Sequence, residues 1–186
     1  MAEHGAMGVG RRKLWSMVPP GRILEVGVGT GRNIPLYPLG SEVTAIDLSP
    51  AMLARAREAA GSSGAELDLR LMDVQQLEFP DGYFDAFVTS CVFCSVPDPV
   101  AGLAELRRVL RPGGHGYLLE HVLSCRRGLR PAMRALNPLV VRMMGANINR
   151  QTRANLEQAG FVIESETDLW LDVVKLFVAA PAPKLG

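Results

Sequence analysis

The sequence predicts an α/β fold of the doubly wound type, in which helices cover both faces of a mainly parallel sheet. Short apolar runs alternate along the chain with segments of helical periodicity, which is typical of parallel strands joined by right-handed crossovers. The last two runs, residues 161–170 and 173–180, are separated by a very short connection, which favours antiparallel pairing. In such sheets the ligand binds at the carboxyl ends of the strands, near the point where the strand order reverses.

Local signals mark where the elements begin and end. Ser49 and Pro50 place a capping side chain and a proline at the start of the first helix, and Asp98 and Pro99 do the same for the second. In chain order we predict strands at 22–26, 42–48, 66–72, 84–92 and 116–123, helices at 51–60 and 100–110 with Pro112-Gly113-Gly114 ending the latter, a basic and apolar segment at 126–145, a polar helix at 150–159, and the two last strands.

Length and composition exclude several classes of protein. With 186 residues the chain is predicted to form a single domain, 1–186, with a sizeable core. A net charge of +1 gives no broad field for nucleic acid, so no nucleic-acid partner is expected. No apolar run approaches the roughly 20 residues of a membrane-spanning helix, and the basic N-terminus lacks the apolar segment of a secretory signal. Three cysteines suggest no disulfide framework, so a cytoplasmic location is expected.

Glycines and acids follow the first three strands, where the site is expected. Gly27, Gly29 and Gly31 form a G-x-G-x-G turn whose bare backbone allows close approach of a ligand. The turn suits a pyrophosphate or the amino-acid end of S-adenosylmethionine, but the dinucleotide pattern needs a glycine where Arg32 stands.

Two carboxylates are placed to contact the nucleoside part of such a ligand. Asp47 follows the second strand, where an acid accepts hydrogen bonds from both ribose hydroxyls. Asp73 follows the third strand, where it would accept from the adenine amino group while the Val74 backbone contacts the ring edge. A helix-capping role for Asp47 and a turn-forming role for Asp73 remain the alternatives.

Four linked motifs resemble those of class I S-adenosylmethionine-dependent methyltransferases: EVGVGTG, AIDLSPAML, MDVQQLEFPDGYFD and ELRRVLRPGG. The resemblance covers roughly residues 21–180. It implies a Rossmann-like seven-stranded sheet of order 3-2-1-4-5-7-6 with strand 7 antiparallel, S-adenosyl-L-methionine as cofactor and S-adenosyl-L-homocysteine as product. Further motifs are similar to the quinone, phosphatidylethanolamine and thiol methyltransferase branch, including VFCSVPDPVAGLAELRRVLRPGGHGYLLEHV and GANINRQTRANLEQAGF.

The resemblance also implies a set of cofactor contacts. The glycine turn is expected to receive the methionine part of the cofactor, and Glu25 is expected to position the loop or the ammonium group. The predicted cofactor-binding residues are Glu25, Gly27, Gly29, Gly31, Asp47, Leu48, Met52, Asp73, Val74 and Ser90.

Methyl transfer is an in-line displacement at a carbon that a sulfonium already activates, so we expect no metal. A base helps only if the acceptor carries a proton, as a thiol or phenol does. His121 follows the fifth strand and is the candidate base, with a structural role as the alternative. The predicted walls of the acceptor pocket are Tyr37, Cys91, Phe93 and Asn147.

Two segments bear on the acceptor and its access. Residues 1–20 are shorter than the lid expected from the resemblance, so the lid is reduced or a membrane or second copy of the chain, as in a homodimer, completes the site. Residues 124–149 are predicted to be a substrate-cap insertion. Within it, residues 126–145 combine apolar positions at helical spacing with arginines, so peripheral contact with an anionic membrane is the alternative. Pro131 and Pro138 argue against one long straight helix there.

The leading hypothesis is a methyltransferase that acts on a small-molecule or lipid-like acceptor. A phospholipid amine N-methyltransferase at the membrane surface is the close alternative. A non-catalytic S-adenosylmethionine-binding module and an NAD oxidoreductase are the readings from other classes, and the latter is disfavoured by Arg32. The acceptor and the methylated atom are left open by the sequence.

Overall fold

The computed structural model describes residues 6–61 and 65–183 of the chain. In these residues strands and helices alternate, and a helix that the sequence did not indicate precedes the first strand. The strands are β1 (Arg22–Val26), β2 (Glu42–Asp47), β3 (Glu66–Leu71), β4 (Phe84–Ser90), β5 (Leu110–His121), β6 (Phe161–Trp170) and β7 (Val174–Pro181), and the helices are α1 (Ala6–Trp15), α2 (Pro50–Ala60), α3 (Pro99–Val109), α4 (Leu129–Met144) and α5 (Thr152–Gln158), with a short 3₁₀ helix at Ile34–Leu36.

All seven strands form one sheet of order β3-β2-β1-β4-β5-β7-β6, which confirms the predicted topology. Pairing from β3 to β5 is parallel, whereas β7 runs antiparallel to both β5 and β6. The strand order reverses between β1 and β4, so the carboxyl ends of these two strands border the crevice where ligands bind in doubly wound sheets.

The sheet separates two hydrophobic layers. Along β1 successive side chains enter opposite layers, with Ile23 on one side and Leu24 on the other. Leu53 of α2 packs into the first layer, and Leu103 of α3 packs into the second. Because both faces of the sheet are covered, polar side chains inside it need hydrogen-bond partners, and this requirement shapes the site described below.

The predicted helix starts are confirmed. The Ser49 hydroxyl accepts a hydrogen bond from the Met52 amide, and the Asp98 carboxylate accepts from the first amides of α3. A proline follows each capping residue, where its missing N–H leaves no intrahelical bond unmade.

The second predicted helix ends within one residue of its expected end, but the stop signal assigned to it does not form a separate loop. Pro112-Gly113-Gly114 lies within β5, which begins at Leu110 directly after α3. Pairing with β4 overrides the local turn signal, and the register shift between Phe84 and Ala86 absorbs the irregular stretch. Gly116 belongs to the same contact, because a Cβ there would lie 2.1 Å from the Phe87 ring.

Helix α1 gives the N-terminal segment a structural role. Leu14 and Trp15 are buried in the first hydrophobic layer. At Gly10 a Cβ would lie 3.0 Å from Leu169 and 3.1 Å from Leu119, so this glycine lets the helix approach β5 and β6 closely. The reduced lid predicted for residues 1–20 is therefore a packed helix within its described part, and residues 1–5 lie outside the described residues.

Pro131 and Pro138 argued against one long straight helix, and the structure shows that they do not interrupt α4, which runs from Leu129 to Met144. Pro131 lies in the first turn, where amides have no intrahelical acceptor, and Pro138 is accommodated inside the helix. Met133 is buried, while most of the other described side chains of α4 are exposed or half-buried. Among the described helices, none combines the length and the apolar character needed to cross a bilayer.

Candidate active site

A cavity of about 390 Å³ opens at the carboxyl ends of β1 to β4, where the fold predicts a ligand site. Its volume lies within the range of about 300–1,000 Å³ usual for small-molecule sites. The residues that line it are Val26, Gly27, Gly29, Ile46, Asp47, Leu48, Met52, Met72, Asp73, Val74, Ser90, Cys91, Val92, Ser95, Val96 and Pro97.

The three glycines of the turn after β1 serve different purposes. All three have positive φ, which strains any residue with a side chain. At Gly27 a Cβ would lie 2.5 Å from Val92, and at Gly31 it would lie 2.9 Å from Ala59 of α2, so both glycines permit tight internal packing. At Gly29 the nearest atom would be the Gly27 carbonyl oxygen, 4.0 Å away. Of the three, only Gly29 leaves open space for a ligand where a side chain would otherwise stand.

Asp47 joins the ends of β1 and β2. One of its carboxylate oxygens accepts a hydrogen bond from the Gly29 amide at 2.8 Å, and the other accepts from the Ser49 amide at 2.9 Å. A carboxylate has about four acceptor positions, so roughly half of this capacity remains for a ligand. The hydrogen bond that Asp47 accepts from the Ser49 amide, just before α2, matches part of the helix-capping role that was the alternative for this residue.

Asp73 forms a turn after β3 with Gln75. Its Oδ1 accepts from the Gln75 amide at 2.9 Å, and both oxygens lie within 3.2 Å of the Gln75 side-chain nitrogen. The turn-forming alternative is thus present in the structure, and it orients the carboxylate at the cavity wall beside Val74.

Glu25 is buried behind the glycine turn and does not reach the cavity. Its carboxylate accepts from the Asn33 side chain at 2.6 Å and in a short hydrogen bond from the Tyr37 hydroxyl. Burial raises the pKa of Glu25 to about 7, against the lowering effect of these two donors. Asn33 also donates to the Ser90 hydroxyl at 3.3 Å. The tilted ring of Trp15 packs against the Tyr37 ring, with 4.8 Å between the ring centroids. Glu25 and Tyr37 therefore brace the cavity wall from within.

A second buried carboxyl, Glu120, supports the same wall from the other face of the sheet. Its Oε1 accepts from the Thr89 hydroxyl at 2.9 Å and from the Val92 amide at 3.2 Å. Burial raises the pKa of Glu120 to about 7 as well. The role of Glu120 in holding the loop after β4 was not predicted from the sequence.

His121 lies beside the cavity without lining it. Its backbone lies close enough to Cys91, which does line the cavity, to lower the pKa of the Cys91 thiol. Burial lowers the pKa of the His121 imidazole, and its Nδ1 is buried with no hydrogen-bond partner among the described residues. The imidazole is thus neutral near pH 7, and one ring nitrogen has no partner within the described chain.

Cys91 is held in a strained backbone conformation at the end of β4. Its φ of 57° is unusual for a residue other than glycine, and its amide donates to the Leu119 carbonyl at 2.7 Å. Burial is the largest of the effects that raise the pKa of the Cys91 thiol to about 12, so the thiol stays protonated at neutral pH. The charge of Arg11 on α1 has a smaller, lowering effect on the pKa of the same thiol.

The structure brings most of the predicted cofactor residues together. Eight of the ten line one cavity, and only Glu25 and Gly31 do not. Of the residues predicted to form the acceptor pocket, only some lie at this cavity. Cys91 lines the cavity, whereas Phe93 lies in the core against Gly102 and Asn147 donates to the Cys94 carbonyl at 3.1 Å. Phe93 is corrected to a core residue because its ring packs under α3.

Sequence reasoning missed part of the cavity wall. Ser95, Val96 and Pro97 continue the segment after β4, and Met72 follows β3. Their position directly after predicted strands was the available signal. Among residues 6–61 and 65–183, no three His, Cys, Asp or Glu side chains lie close enough together to hold a metal ion.

The raised pKa of Glu25 generates a prediction about stability. An acid whose pKa rises from 4.5 to about 7 on folding stabilises the native state below pH 4.5, and this contribution is lost as pH rises through about 7. We expect Glu25→Gln, which cannot ionise, to lose less stability between pH 5 and pH 7.5 than the native chain, by on the order of 2 kcal/mol. Urea unfolding at both pH values measures this, and equal losses in the two chains would show that Glu25 does not change its charge.

Comparisons with known proteins agree with this geometry. The family model described as "Methyltransferase domain" matches residues 24–118. The phosphatidylethanolamine N-methyltransferase of Cereibacter sphaeroides is 47% identical over 103 residues, which are 54% of this chain and 51% of that enzyme. The demethylmenaquinone methyltransferase of Clavibacter sepedonicus is 31% identical over 179 residues, covering 89% of this chain and 72% of that enzyme. The chain thus spans about half the length of the first relative.

A solved structure shows the same architecture over nearly the whole chain. The S-adenosylmethionine-dependent methyltransferase of Mesorhizobium loti superposes with a TM-score of 0.70 at 25% identity, covering 94% of this chain and 99% of that one. The family match, the shared topology and the cavity beside the glycine turn lead to one conclusion. The chain belongs to the methyltransferase-domain family of S-adenosylmethionine-dependent enzymes.

Proposed function

We propose that this chain transfers a methyl group from S-adenosyl-L-methionine to a small-molecule or lipid-like acceptor. One observation carries the proposal: the open cradle at Gly29, fixed by the hydrogen bond from its amide to Asp47, lies at the switch point of the sheet. When bound there, the cofactor supplies a methyl group that its positively charged sulfonium activates.

The residues of the cavity suit the three parts of that cofactor. We assign the ribose hydroxyls to the unused acceptor positions of Asp47 and the adenine amino group to Asp73, with Val74 against the ring. The bare turn at Gly29 would face the methionine part. Apolar Leu48 and Met52, both exposed at the rim, would cover the adenosine. Glu25 and Gly31 would act indirectly, by holding the turn in place.

The acceptor would enter from the side of Cys91. The neutral thiol of Cys91 and the neighbouring His121 mark this end of the cavity, and Asn147 ties the segment after α4 to the adjoining loop. The two relatives named above act on a phospholipid amine and on a quinone, and the sequence motifs also resemble thiol methyltransferases. A lipid amine at a membrane surface and a hydrophobic small molecule in the cytoplasm are the acceptors that this proposal includes.

The chain's own contribution to the chemistry would be placement and proton removal. Holding the acceptor in line with the methyl group lowers the barrier by up to several kcal/mol, and this needs a stiff wall. The buried carboxyls Glu25 and Glu120 supply that stiffness from opposite faces. His121, neutral near pH 7, would accept the proton of a thiol or phenol, whereas an amine needs no such help.

A non-catalytic S-adenosylmethionine-binding module is the second candidate. The observation that favours it is that His121 does not line the cavity, while the Cys91 thiol, which does line it, stays protonated. Turnover of labelled S-adenosylmethionine against amines, thiols, phenols and lipids decides between the two. Cofactor binding without turnover on any of these acceptors would establish the module instead.

The cradle at Gly29 allows a matched pair of substitutions. Gly29→Ala and Gly40→Ala both force a side chain into left-handed backbone, with φ of 56° and 76°, and neither Cβ would contact protein atoms closely. We expect both variants to lose about 1–2 kcal/mol of stability. Only Gly29→Ala should weaken binding of S-adenosylhomocysteine in calorimetry, because only its methyl group enters the cavity. Equal affinity in the two variants would place the ligand elsewhere.

Removing the carboxylate that joins β1 to β2 should affect binding directly. We expect Asp47→Ala to weaken S-adenosylhomocysteine binding by about 1–3 kcal/mol, because ribose hydroxyls lose their acceptor and the Gly29 amide loses its partner. Asp68→Ala, which removes an exposed carboxylate from β3, is the control and should bind like the native chain. Unchanged calorimetric affinity in Asp47→Ala would contradict the assignment.

The role of His121 can be separated by acceptor type and pH. With a thiol or phenol acceptor, turnover of the native chain should fall as pH drops through the pKa of His121, which lies below the ordinary 6.5. With these acceptors, His121→Asn should lower turnover about 100-fold. Its pH profile should no longer fall on the acid side, and its turnover of an amine acceptor should change little. A variant that keeps the native pH profile would make His121 purely structural.

A further inference from the structure

One stretch of the chain concentrates positive charge. Residues 121–156 contain seven arginines and no aspartate or glutamate, whereas all nineteen acidic residues and thirteen basic residues lie elsewhere. The remainder of the chain is therefore net acidic, although the whole carries only +1. The arginines of this stretch are Arg126, Arg127, Arg130, Arg134, Arg142, Arg150 and Arg153.

Most of the arginines near α4 have no acidic partner. Arg126 lies 3.7 Å from Asp172, and Arg150 and Arg153 are engaged by other parts of the described chain. Among the described residues, no ion pair neutralises the other four, and all four are exposed. They are Arg127, Arg130, Arg134 and Arg142.

Helix α4 also leaves an apolar stripe uncovered. Leu136, Leu139 and Met143 recur at helical spacing, so they lie along one side of the helix, and their exposed fractions are 53%, 55% and 74%. The buried Met133 lies one turn before Leu136, at the margin of this stripe, and packs into the first hydrophobic layer. The apolar surface of the helix thus begins on the protein at Met133 and continues into a stripe that the described chain does not cover, with arginines on the rest of the helix surface.

The turn between β6 and β7 adds exposed apolar surface at the same edge of the sheet. Trp170 and Leu171 are both about half exposed at this turn. Asp172 beside them accepts from the Cys125 amide at 2.7 Å and from the Ser124 hydroxyl, so the turn is tied to the segment that leads into α4. Tryptophan beside arginine is a composition suited to the boundary between water and lipid.

The position of α4 relative to the cavity is fixed by two asparagines. Asn137 within α4 accepts from the Ile148 amide at 2.8 Å and donates to Asn147 at 3.1 Å. Asn147 in turn donates to the Cys94 carbonyl, in the loop between the cavity residues Cys91 and Ser95. A surface that holds α4 would therefore lie close to the acceptor side of the cavity.

We propose that α4 docks on the surface of an anionic membrane, with Leu136, Leu139 and Met143 entering the boundary between headgroups and acyl chains. Apolar side chains beside unpaired arginines match the two components of such a surface. A second copy of the chain fits less well, because pairing the two stripes would bring two arginine-rich helices together. This inference goes beyond methyl transfer and does not depend on it.

Vesicle co-sedimentation tests the apolar part of the proposal. The native chain should sediment with vesicles of phosphatidylcholine mixed with phosphatidylglycerol, and less with phosphatidylcholine alone. Met143→Asp should weaken the binding by about tenfold or more, because it removes inserted apolar area and adds a charge. Leu39→Asp is the matched control, since Leu39 is 78% exposed in a loop near the opposite edge of the sheet and should leave binding unchanged.

A charge-matched pair tests the electrostatic part. Arg130→Gln/Arg134→Gln should weaken binding to the anionic vesicles about 25-fold, at roughly fivefold for each arginine near the surface. Arg55→Gln/Arg57→Gln removes the same charge from exposed positions on α2 and should retain native binding.

Other outcomes would overturn the proposal. No sedimentation with anionic vesicles, or equal losses in the test and control variants, would reject docking through α4. A dimer in analytical ultracentrifugation that Met143→Asp dissolves, without vesicle binding, would assign the stripe to a second copy. Affinity for S-adenosylhomocysteine, measured on the same variants, reports separately on the proposed function, so failure of one does not imply failure of the other.

Discussion

The hydrogen bond from the Gly29 amide to Asp47 is the contact on which the site depends. It joins the end of β1 to the end of β2, and it holds the turn in a conformation that only glycine adopts without strain. Because each oxygen of Asp47 accepts only one backbone hydrogen bond, the carboxylate shapes the cradle and still has acceptor capacity for a ligand. One residue thus connects the local fold of the turn to the chemistry expected beside it.

Two buried carboxyls keep the wall of this cradle stiff. Glu25 braces the glycine turn from one face of the sheet through Asn33 and Tyr37, and Glu120 braces the loop after β4 from the other face through Thr89. Burying carboxyl groups is costly, which is why the pKa of each rises to about 7, and their donors offset part of that cost. These buried hydrogen bonds favour a single geometry of the loops, which suits a reaction whose rate depends on the alignment of acceptor and methyl group.

The cavity and the segment that leads into α4 lie at the same edge of the sheet. This edge also carries the exposed side chains of the cavity rim, and all nineteen acidic residues lie outside residues 121–156, the stretch that contains α4. Asn137 and Asn147 connect that helix to the loop beside the cavity. A chain that obtains an acceptor from an apolar environment benefits from this arrangement, because the surface that meets the environment and the site that performs the reaction are mechanically linked.

From the sequence, the resemblance of four motifs to those of methyltransferases implied the strand order. Residue patterns by themselves indicated the alternation of strands and helices, the helix starts at Ser49 and Asp98, and a glycine and an acid, Gly29 and Asp47, at two neighbouring strand ends. These features follow from local rules: apolar periodicity, capping side chains, and glycine where φ must be positive. Only the tertiary structure decided the rest, because the deciding partners are distant in the chain. Pairing with β4 drew Pro112-Gly113-Gly114 into β5, and burial by the sheet made α1 a packed helix despite its glycines. Packing under α3 placed Phe93 in the core, and the donors that surround Glu25 turned an expected ligand contact into an internal brace. A residue type and its strand position indicate which end of the sheet it reaches, but the direction and partners of its side chain depend on neighbours that only folding supplies.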